Sequence, residues 1–341
     1  MKTLIIRTDK LGDLYITLPF INLLRRNFGR DNIDILISEN IYDHFKEKDY
    51  IFGNIYSFPN KGFFKKILLI LKLRKYLYKH IIIFDGKDRS LILAFLLKSL
   101  KKIILMEKRK LNFLLKIFFL KNKKYNLIYD NKIESYHSLY SKLLSQFNVQ
   151  INETDYRFLK YEKFEFLNLP KNLKEDSTDY TLIHIDEKWF SNYYIKEYTD
   201  IAPTNVDFIN FIQKIIIKTN KNIIITTGIV KLPFFEKLKD NYFKKIDNKL
   251  YEFEFNNIKV FMFLNSSIKE LEIISMNSKN LITCNNPLSQ IAGSFNINLI
   301  DIIEKRLEPW YLRHVSHIKK YNKLFRKDFR ELSNEILLKI I

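Results

Sequence analysis

Short apolar runs rich in β-branched residues recur along this chain, separated by stretches long enough for a helix. That rhythm confines it to a parallel α/β design. Leu4-Ile5-Ile6, residues 81–84 (IIIF) and residues 103–106 (IILM) carry no polar face. Strands of that kind are buried on both sides, which places them in a sheet covered by helices above and below. The spacing predicts strands over 4–6, 33–37, 55–58, 81–84 and 103–106, with helices over 14–28, 42–48, 61–79, 90–100 and 134–147. Alternation at this interval marks a doubly wound sheet.

The rhythm lapses over residues 148–178, where charge rises and Pro170 and the polar run 174–179 intervene, and it restarts at Tyr180. Strands are then predicted over 181–185, 222–227, 260–264, 280–284 and 297–301, with helices over 206–218, 232–243, 268–276 and from Pro287. Ser267 and Glu270 form a capping-box signature for the 268–276 helix. We therefore expect an N-terminal Rossmann-like domain over 1–150, a linker over 151–179 and a C-terminal Rossmann-like domain over 180–318. A closing helix over 319–341 lies beyond the last predicted strand and could cross back onto the first domain. At 341 residues the chain is long for one core and comfortable for two.

A hydrophobic content of 47% excludes global disorder. Cys284 is the only cysteine, so no intrachain disulfide can form and a reducing cytoplasm is expected. The first apolar run stops at Arg7, too early for a signal peptide, and no run reaches the roughly 18 uncharged apolar residues of a spanning helix. The formal net charge of +20 favours contact with anions, whether nucleic acid, membrane lipid or a phosphorylated substrate. The joint richness in Lys, Ile, Asn, Phe and Tyr would equally follow from a base-composition bias of the genome. Residues 111–120 crowd apolar side chains between two basic flanks. Such a segment can lie in a membrane interface; we read it as a helix packed on the sheet with lysines at its rim. His137, on a tyrosine-rich helix face, reads as structural.

Polar residues gather at the end of the first strand. Strand 4–6 feeds a polar loop from Arg7 to Asp13 and then a helix with Leu14, Leu18, Ile21, Leu24 and Phe28 at helical spacing. Arg25 and Arg26 fall in its last turn, where positive charge suits the dipole. Ligands of open α/β sheets collect at such strand ends. Gly12 allows a tight turn there, and Asp13 is expected at the helix mouth with its carboxylate facing a crevice. An ordinary helix cap would use the same aspartate.

The pattern R-x-D-x-L-G-D-x-x-x-T-L-P, formed by Arg7, Asp9, Leu11, Gly12, Asp13, Thr17, Leu18 and Pro19, resembles the start of glycosyltransferase family 9. That family comprises the lipopolysaccharide heptosyltransferases and their relatives. The resemblance implies a GT-B fold, with two Rossmann-like βαβ domains facing across a cleft. It implies an inverting transfer in which Asp13 is the general base on the acceptor sugar. It also implies a nucleotide-sugar donor such as ADP-heptose and a lipid-linked anionic saccharide as acceptor, in the lipopolysaccharide core or another envelope glycan. Such an enzyme would be cytoplasmic, peripheral to an anionic inner-membrane surface, and is expected as a monomer. Arg7 and Lys10, with Gly12 beside them, would bind an acidic sugar or phosphate of the acceptor.

On the donor side, residues 281–292 (LITCNNPLSQIA) run a strand into Asn285-Asn286-Pro287. Proline at the first helical position after an asparagine cap is a favoured helix start. The amides of Leu288 and Ser289 are then expected to be free at the helix mouth as a phosphate seat, although a plain capped helix needs the same residues. The segment looks like the family's D-S-G-x-x-H-I-A stretch, where the nucleotide diphosphate is held. Ile291 and Ala292 match, but Asn285, Asn286 and Pro287 replace Asp, Ser and Gly, and Gln290 replaces His. Pro287 has no amide and Gln290 no positive charge, so diphosphate binding there must be rearranged, weaker or absent. Residues 266–270 (SSIKE) are similar to the family's Ser-x-x-Glu-Leu helix start. His184 with Lys188-Trp189 is similar to its H-x-G … K-x-W region, without the glycine and with contracted spacing, which implies Lys188 at the donor phosphates. Thr226-Thr227-Gly228 resembles a Thr-Gly-Gly turn lining the donor cleft.

Neither a D-x-D strand-end pair nor a His/Cys cluster with ligand spacing occurs, so no metal or other cofactor is expected. The P-loop, the G-x-G-x-x-G fingerprint and the G-x-S-x-G elbow are absent, and only seven glycines are present, which argues against dinucleotide binding of the usual kind. Two other readings stay open. One is a family relative that binds glycan or nucleotide without transfer. The other is a basic nucleic-acid or membrane-surface protein, for which no domain signature occurs.

Overall fold

The structure, a computed structural model, describes residues 1–46, 52–107, 124–130, 135–159 and 179–341. The chain divides into two compact units, Met1–Phe158 and Leu159–Ile341. In the first, strands Thr3–Arg7 (β1), Ile33–Ser38 (β2), Asn54–Phe58 (β3), Tyr78–Ile83 (β4), Ser99–Glu107 (β5) and Tyr125–Asp130 (β6) form one sheet in the order β3-β2-β1-β4-β5-β6. Every neighbouring pair is parallel. All residues of β1 and β2 are buried, as their apolar runs require. Asp34 is tolerated inside β2 because its Oδ1 accepts from Lys2 Nζ at 2.9 Å and from Asn54 N and Nδ2 at 3.1 and 2.9 Å.

Parallel neighbours need crossovers, and helices Leu11–Phe28 (α1), Glu39–Lys46 (α2), Phe63–Arg74 (α3) and Asp88–Leu96 (α4) supply them. α1 begins three residues earlier than predicted. Leu11 continues the apolar spacing of Leu14 and Leu18, so Gly12 and Asp13 are helical and the loop shrinks to Thr8–Lys10. Gly12 therefore makes no turn, and Lys10, not Asp13, is the N-cap residue. The predicted 61–79 helix stops at Arg74, because the fully buried Tyr78 opens β4. Helix Tyr136–Ser145, capped by the Ser135 side chain, packs on α1 through Phe20 and Tyr140, whose rings meet edge-on at 4.8 Å. His137 sits there among Phe20 and Tyr156.

The second unit repeats the plan. Strands Tyr180–Ile185 (β7), Ile223–Thr227 (β8), Lys244–Lys245 (β9), Leu250–Phe255 (β10), Ile258–Phe263 (β11), Ser278–Cys284 (β12), Asn298–Ile303 (β13) and Tyr321–Phe325 (β14) lie in the order β14-β13-β12-β7-β8-β11-β10-β9. From β14 to β11 every pair is parallel; β10 and β9 extend the edge antiparallel. The Ser267–Glu270 capping box forms as read, at the start of helix Ile268–Met276. The expected closing helix is corrected. Tyr321–Phe325 is an edge strand beside β13, and only Phe329–Lys339 is helical. Its buried Phe329, Leu332 and Ile336 join the second unit's own core.

In each sheet the chain starts in the middle and the strand order reverses beside that first strand, between β1 and β4 and between β7 and β12. Such reversals leave a crevice at the strand carboxyl ends, where open α/β sheets bind ligands. Among the described residues no helix is long and apolar enough to cross a membrane. The apolar run 111–120 and residues 160–178 of the predicted linker lie outside the described residues.

Candidate functional site

In the first unit the reversal point is filled by a charge network. Arg7, the last residue of β1, is buried; its guanidinium donates to the Phe84 carbonyl and, at 3.3 Å, to Tyr140 Oη. Its Nε lies 2.8 Å from Asp9 Oδ1, and its Nη2 lies 3.9 Å from Asp13 Oδ1. The two carboxylates differ in setting. The Asp9 side chain is 7% exposed, whereas that of Asp13 is 31% exposed, in the first turn of α1. Burial pushes the Asp9 carboxyl up to about 6, against the pull of Arg7. Asp85, just past β4, accepts from Thr8 N and Oγ1 at 2.9 Å, from Ser90 Oγ at 2.8 Å and from Lys87 N at 3.2 Å. That carboxylate ties the β1–α1 loop to the β4–α4 loop.

Beside the network opens a pocket of about 330 Å³ lined by Thr8, Asp9, Lys10, Asn40, Asn60, Lys87 and Arg89, among others. Lys87 Nζ is 3.8 Å from Asp9, and Arg89 Nε donates to Thr8 Oγ1 at 2.8 Å. Three cationic side chains and two carboxamides suit an anionic group rich in hydrogen-bonding oxygens. Of the residues expected on the acceptor side, Lys10 lines this pocket, Arg7 lies buried behind Asp9 and Asp13, and Gly12 sits in the helix turn next to Asp13.

In the second unit, β7 and β12 bring together Asp186, Lys188, Asn285 and Asn286. Asp186 caps the short turn Glu187–Trp189 and accepts from Asn286 Nδ2 at 3.2 Å. Its burial raises its carboxyl pKa. Lys188 Nζ donates to the Asn285 carbonyl and lies 5.7 Å above the Tyr194 ring. His184 is buried; its Nδ1 meets Thr226 Oγ1 at 3.0 Å, and burial pushes its pKa down to about 3, so it stays neutral. Thr227 Oγ1 accepts from Asn265 N at 2.9 Å, and a Cβ on Gly228 would come within 3.3 Å of Asp186 Cβ. The Thr227-Gly228 turn is thus pressed against the end of β7.

The expected free amides are not free. Asn286 Oδ1 accepts from Leu288 N at 2.9 Å, and Ser289 N donates to the Asn286 carbonyl at 3.1 Å. The asparagine that caps the helix Pro287–Phe295 consumes the donors that were expected to hold phosphate. Gln290 is buried and donates to the His314 carbonyl at 2.9 Å, so it braces helix Glu308–Val315. Lys188, by contrast, reaches from the turn Glu187–Trp189 to the Asn285 carbonyl, just before the helix Pro287–Phe295.

Two buried groups here, and the half-buried Asp85 of the first unit, have no role in the sequence reading. Asp301, in β13, accepts from Asn285 Nδ2 and Tyr321 Oη, both at 3.3 Å, and burial pushes its carboxyl up to about 7. Arg326, just past β14, donates from Nε to the Thr199 carbonyl at 2.7 Å and from Nη1 to the Lys188 carbonyl, while its Nη2 is buried without a hydrogen-bond partner. Strand order makes these groups neighbours of the site, and no sequence spacing announces it. Among the described residues no group of three or more His, Cys, Asp or Glu side chains is placed to hold a metal ion.

No protein-family model and no curated protein matches the sequence. Solved structures do match in fold. A glycosyl transferase family 9 protein from Veillonella parvula superposes with a TM-score of 0.62 at 14% identity, covering 96% of this chain and 86% of that one. The E. coli heptosyltransferase WaaC bound to ADP-2-deoxy-2-fluoro heptose gives 0.59 at 12% identity, covering 96% and 93%. A Listeria monocytogenes protein ascribed to the UDP-N-acetylglucosamine 2-epimerases gives 0.57 at 8% identity, covering 99% and 87%. At such identities the likeness is one of fold, and a fold hosts more than one chemistry. The chain is an α/β protein with two parallel-rich sheets, of the GT-B fold shared by glycosyltransferases and sugar-nucleotide epimerases.

Proposed function

We propose that the chain is an inverting glycosyltransferase that moves a sugar, heptose-like, from a nucleotide-sugar to a lipid-linked anionic saccharide, with Asp13 as general base. The observation that carries this is Asp13 itself. Its carboxylate is part-exposed at the β1/β4 reversal and is held by a buried arginine 3.9 Å away. A base must reach its substrate and keep its geometry, and this setting supplies both.

In that reaction the acceptor hydroxyl attacks the anomeric carbon and gives its proton to Asp13. The bond from that carbon to the diphosphate oxygen breaks, and the nucleoside diphosphate leaves with the electron pair. Lys188 would face the charge that develops there, as a fixed cation at a strand end. Lys10, Lys87 and Arg89, around the first unit's pocket, would hold the acidic or phosphorylated part of the acceptor. The WaaC complex with an ADP-heptose analogue supports a nucleotide-sugar as donor.

A second reading has its own observation. The Leu288 and Ser289 amides are already bonded, and Gln290 faces His314. That favours a relative that binds glycan or nucleotide and does not transfer. Calorimetric titration with ADP-heptose and a panel of UDP-sugars, followed by analysis of products with a lipopolysaccharide-core acceptor, separates the readings. The transferase reading expects one donor to bind and turn over, with binding at least tenfold weaker in Lys188→Met. Binding without product on any acceptor selects the second reading, and no binding to any nucleotide-sugar rejects the first.

A further inference from the structure

The helix α3 is apolar on two sides. Leu73 is buried, and Leu69 and Ile70 pack on the core of the first unit, as a surface helix requires. Its other side should be polar. Instead Phe64, Leu68 and Leu71, at i, i+4 and i+7, are 80%, 66% and 53% exposed, with Phe63 at 74% beside them. Neighbouring α4 adds Ile92, 57% exposed. A lone exposed leucine needs no explanation, but an ordered stripe does, because folding gains nothing from it.

Charge identifies what the stripe fits. Residues 61–84 contain seven Lys or Arg and no Asp or Glu. A second copy of the chain would bring two cationic rims together, and like charges would oppose the contact. An anionic bilayer answers both features: acyl chains take up the phenylalanines and leucines, and lipid phosphates face the lysines. We propose that the outward face of α3, with Ile92 of α4, docks the protein on an anionic lipid surface. This rests on exposure and charge and is independent of the transferase reading.

The test is co-sedimentation of the full chain with phosphatidylethanolamine–phosphatidylglycerol vesicles and with phosphatidylcholine vesicles. Binding is expected to the anionic vesicles, weakened by salt. Phe64→Ser/Leu68→Ser should reduce it about 10–100-fold, and Lys61→Glu/Lys65→Glu about tenfold. Both double variants should keep the native circular dichroism and Tm, since the replaced side chains are exposed. In Phe64→Trp, the emission beyond that of the wild type should shift to the blue on anionic vesicles and be quenched by brominated lipid. Failure to bind anionic vesicles at low salt overturns the proposal, as does unchanged binding in both double variants or unshifted Phe64→Trp emission. A lipid-free dimer that Phe64→Ser/Leu68→Ser dissolves would assign the face to a second copy instead.

Discussion

Asp13 and Arg7 lie 3.9 Å apart, one reachable by solvent and the other buried. The arginine is fixed from behind by Asp9, Tyr140 and the Phe84 carbonyl, so it can orient the aspartate without moving itself. The pair joins the end of β1 to the first turn of α1, and the loop Thr8–Lys10 between them is short enough to leave little slack.

Removing Arg7 and removing Asp13 should therefore have unequal costs in stability. Arg7→Met leaves the buried Asp9 with only the part-exposed Lys87, 3.8 Å away, and takes a buried donor from the Phe84 carbonyl and Tyr140, and is expected to cost about 3 kcal/mol. Asp13→Asn loses one part-exposed ion pair and should cost less than about 1 kcal/mol. Urea denaturation measures both, as shifts in midpoint at constant m.

Asn286 does the work of a cap and of a brace. It accepts from Leu288 N and donates to Thr283 Oγ1 at 2.8 Å and to Asp186 at 3.2 Å. Asn286→Ala is expected to destabilise the protein by about 1–3 kcal/mol. Asn286→Ser keeps a cap oxygen and should recover part of that loss in the same denaturation experiment.

Asp301 sets a pH dependence. Burial raises its folded pKa to about 7, above an unfolded value of about 3.9. The folded state therefore holds a proton that the unfolded chain releases. The resulting stability is fully present below about pH 4 and is lost as pH rises through about 7. Unfolding free energies across that window should fall with pH in the wild type. In Asp301→Asn, where the carboxamide still accepts from Asn285 and Tyr321, the slope should flatten.

The βα rhythm was legible because parallel strands buried on both faces must be apolar throughout, as in residues 81–83 of β4. Helix ends were less so: Gly12-Asp13 looks like a turn, yet Leu11 keeps the apolar spacing and the helix takes it in. The hairpin β10–β11 had a signal that went unread. Tyr251, Phe253 and Phe255 alternate with Glu252 and Glu254, and Asn256-Asn257 both adopt positive φ, at 53° and 61°, as a tight hairpin turn needs. Asp13 and Lys188 were visible as residue types at strand ends. The groups around them were not, since Asp85 meets Thr8 across 77 positions and Arg326 meets Lys188 across 138. The Leu288 amide was misjudged for a simpler reason: an asparagine cap bonds the very donor that a phosphate would need.

The most direct measurement is single-turnover transfer of sugar from a nucleotide-sugar donor, in wild type and Asp13→Ala, with donor binding followed in parallel. The account predicts that transfer falls by about 10²–10⁴, while donor affinity and Tm stay within error of the wild type. Turnover retained in Asp13→Ala would contradict it, and the base would have to be sought elsewhere at that strand end.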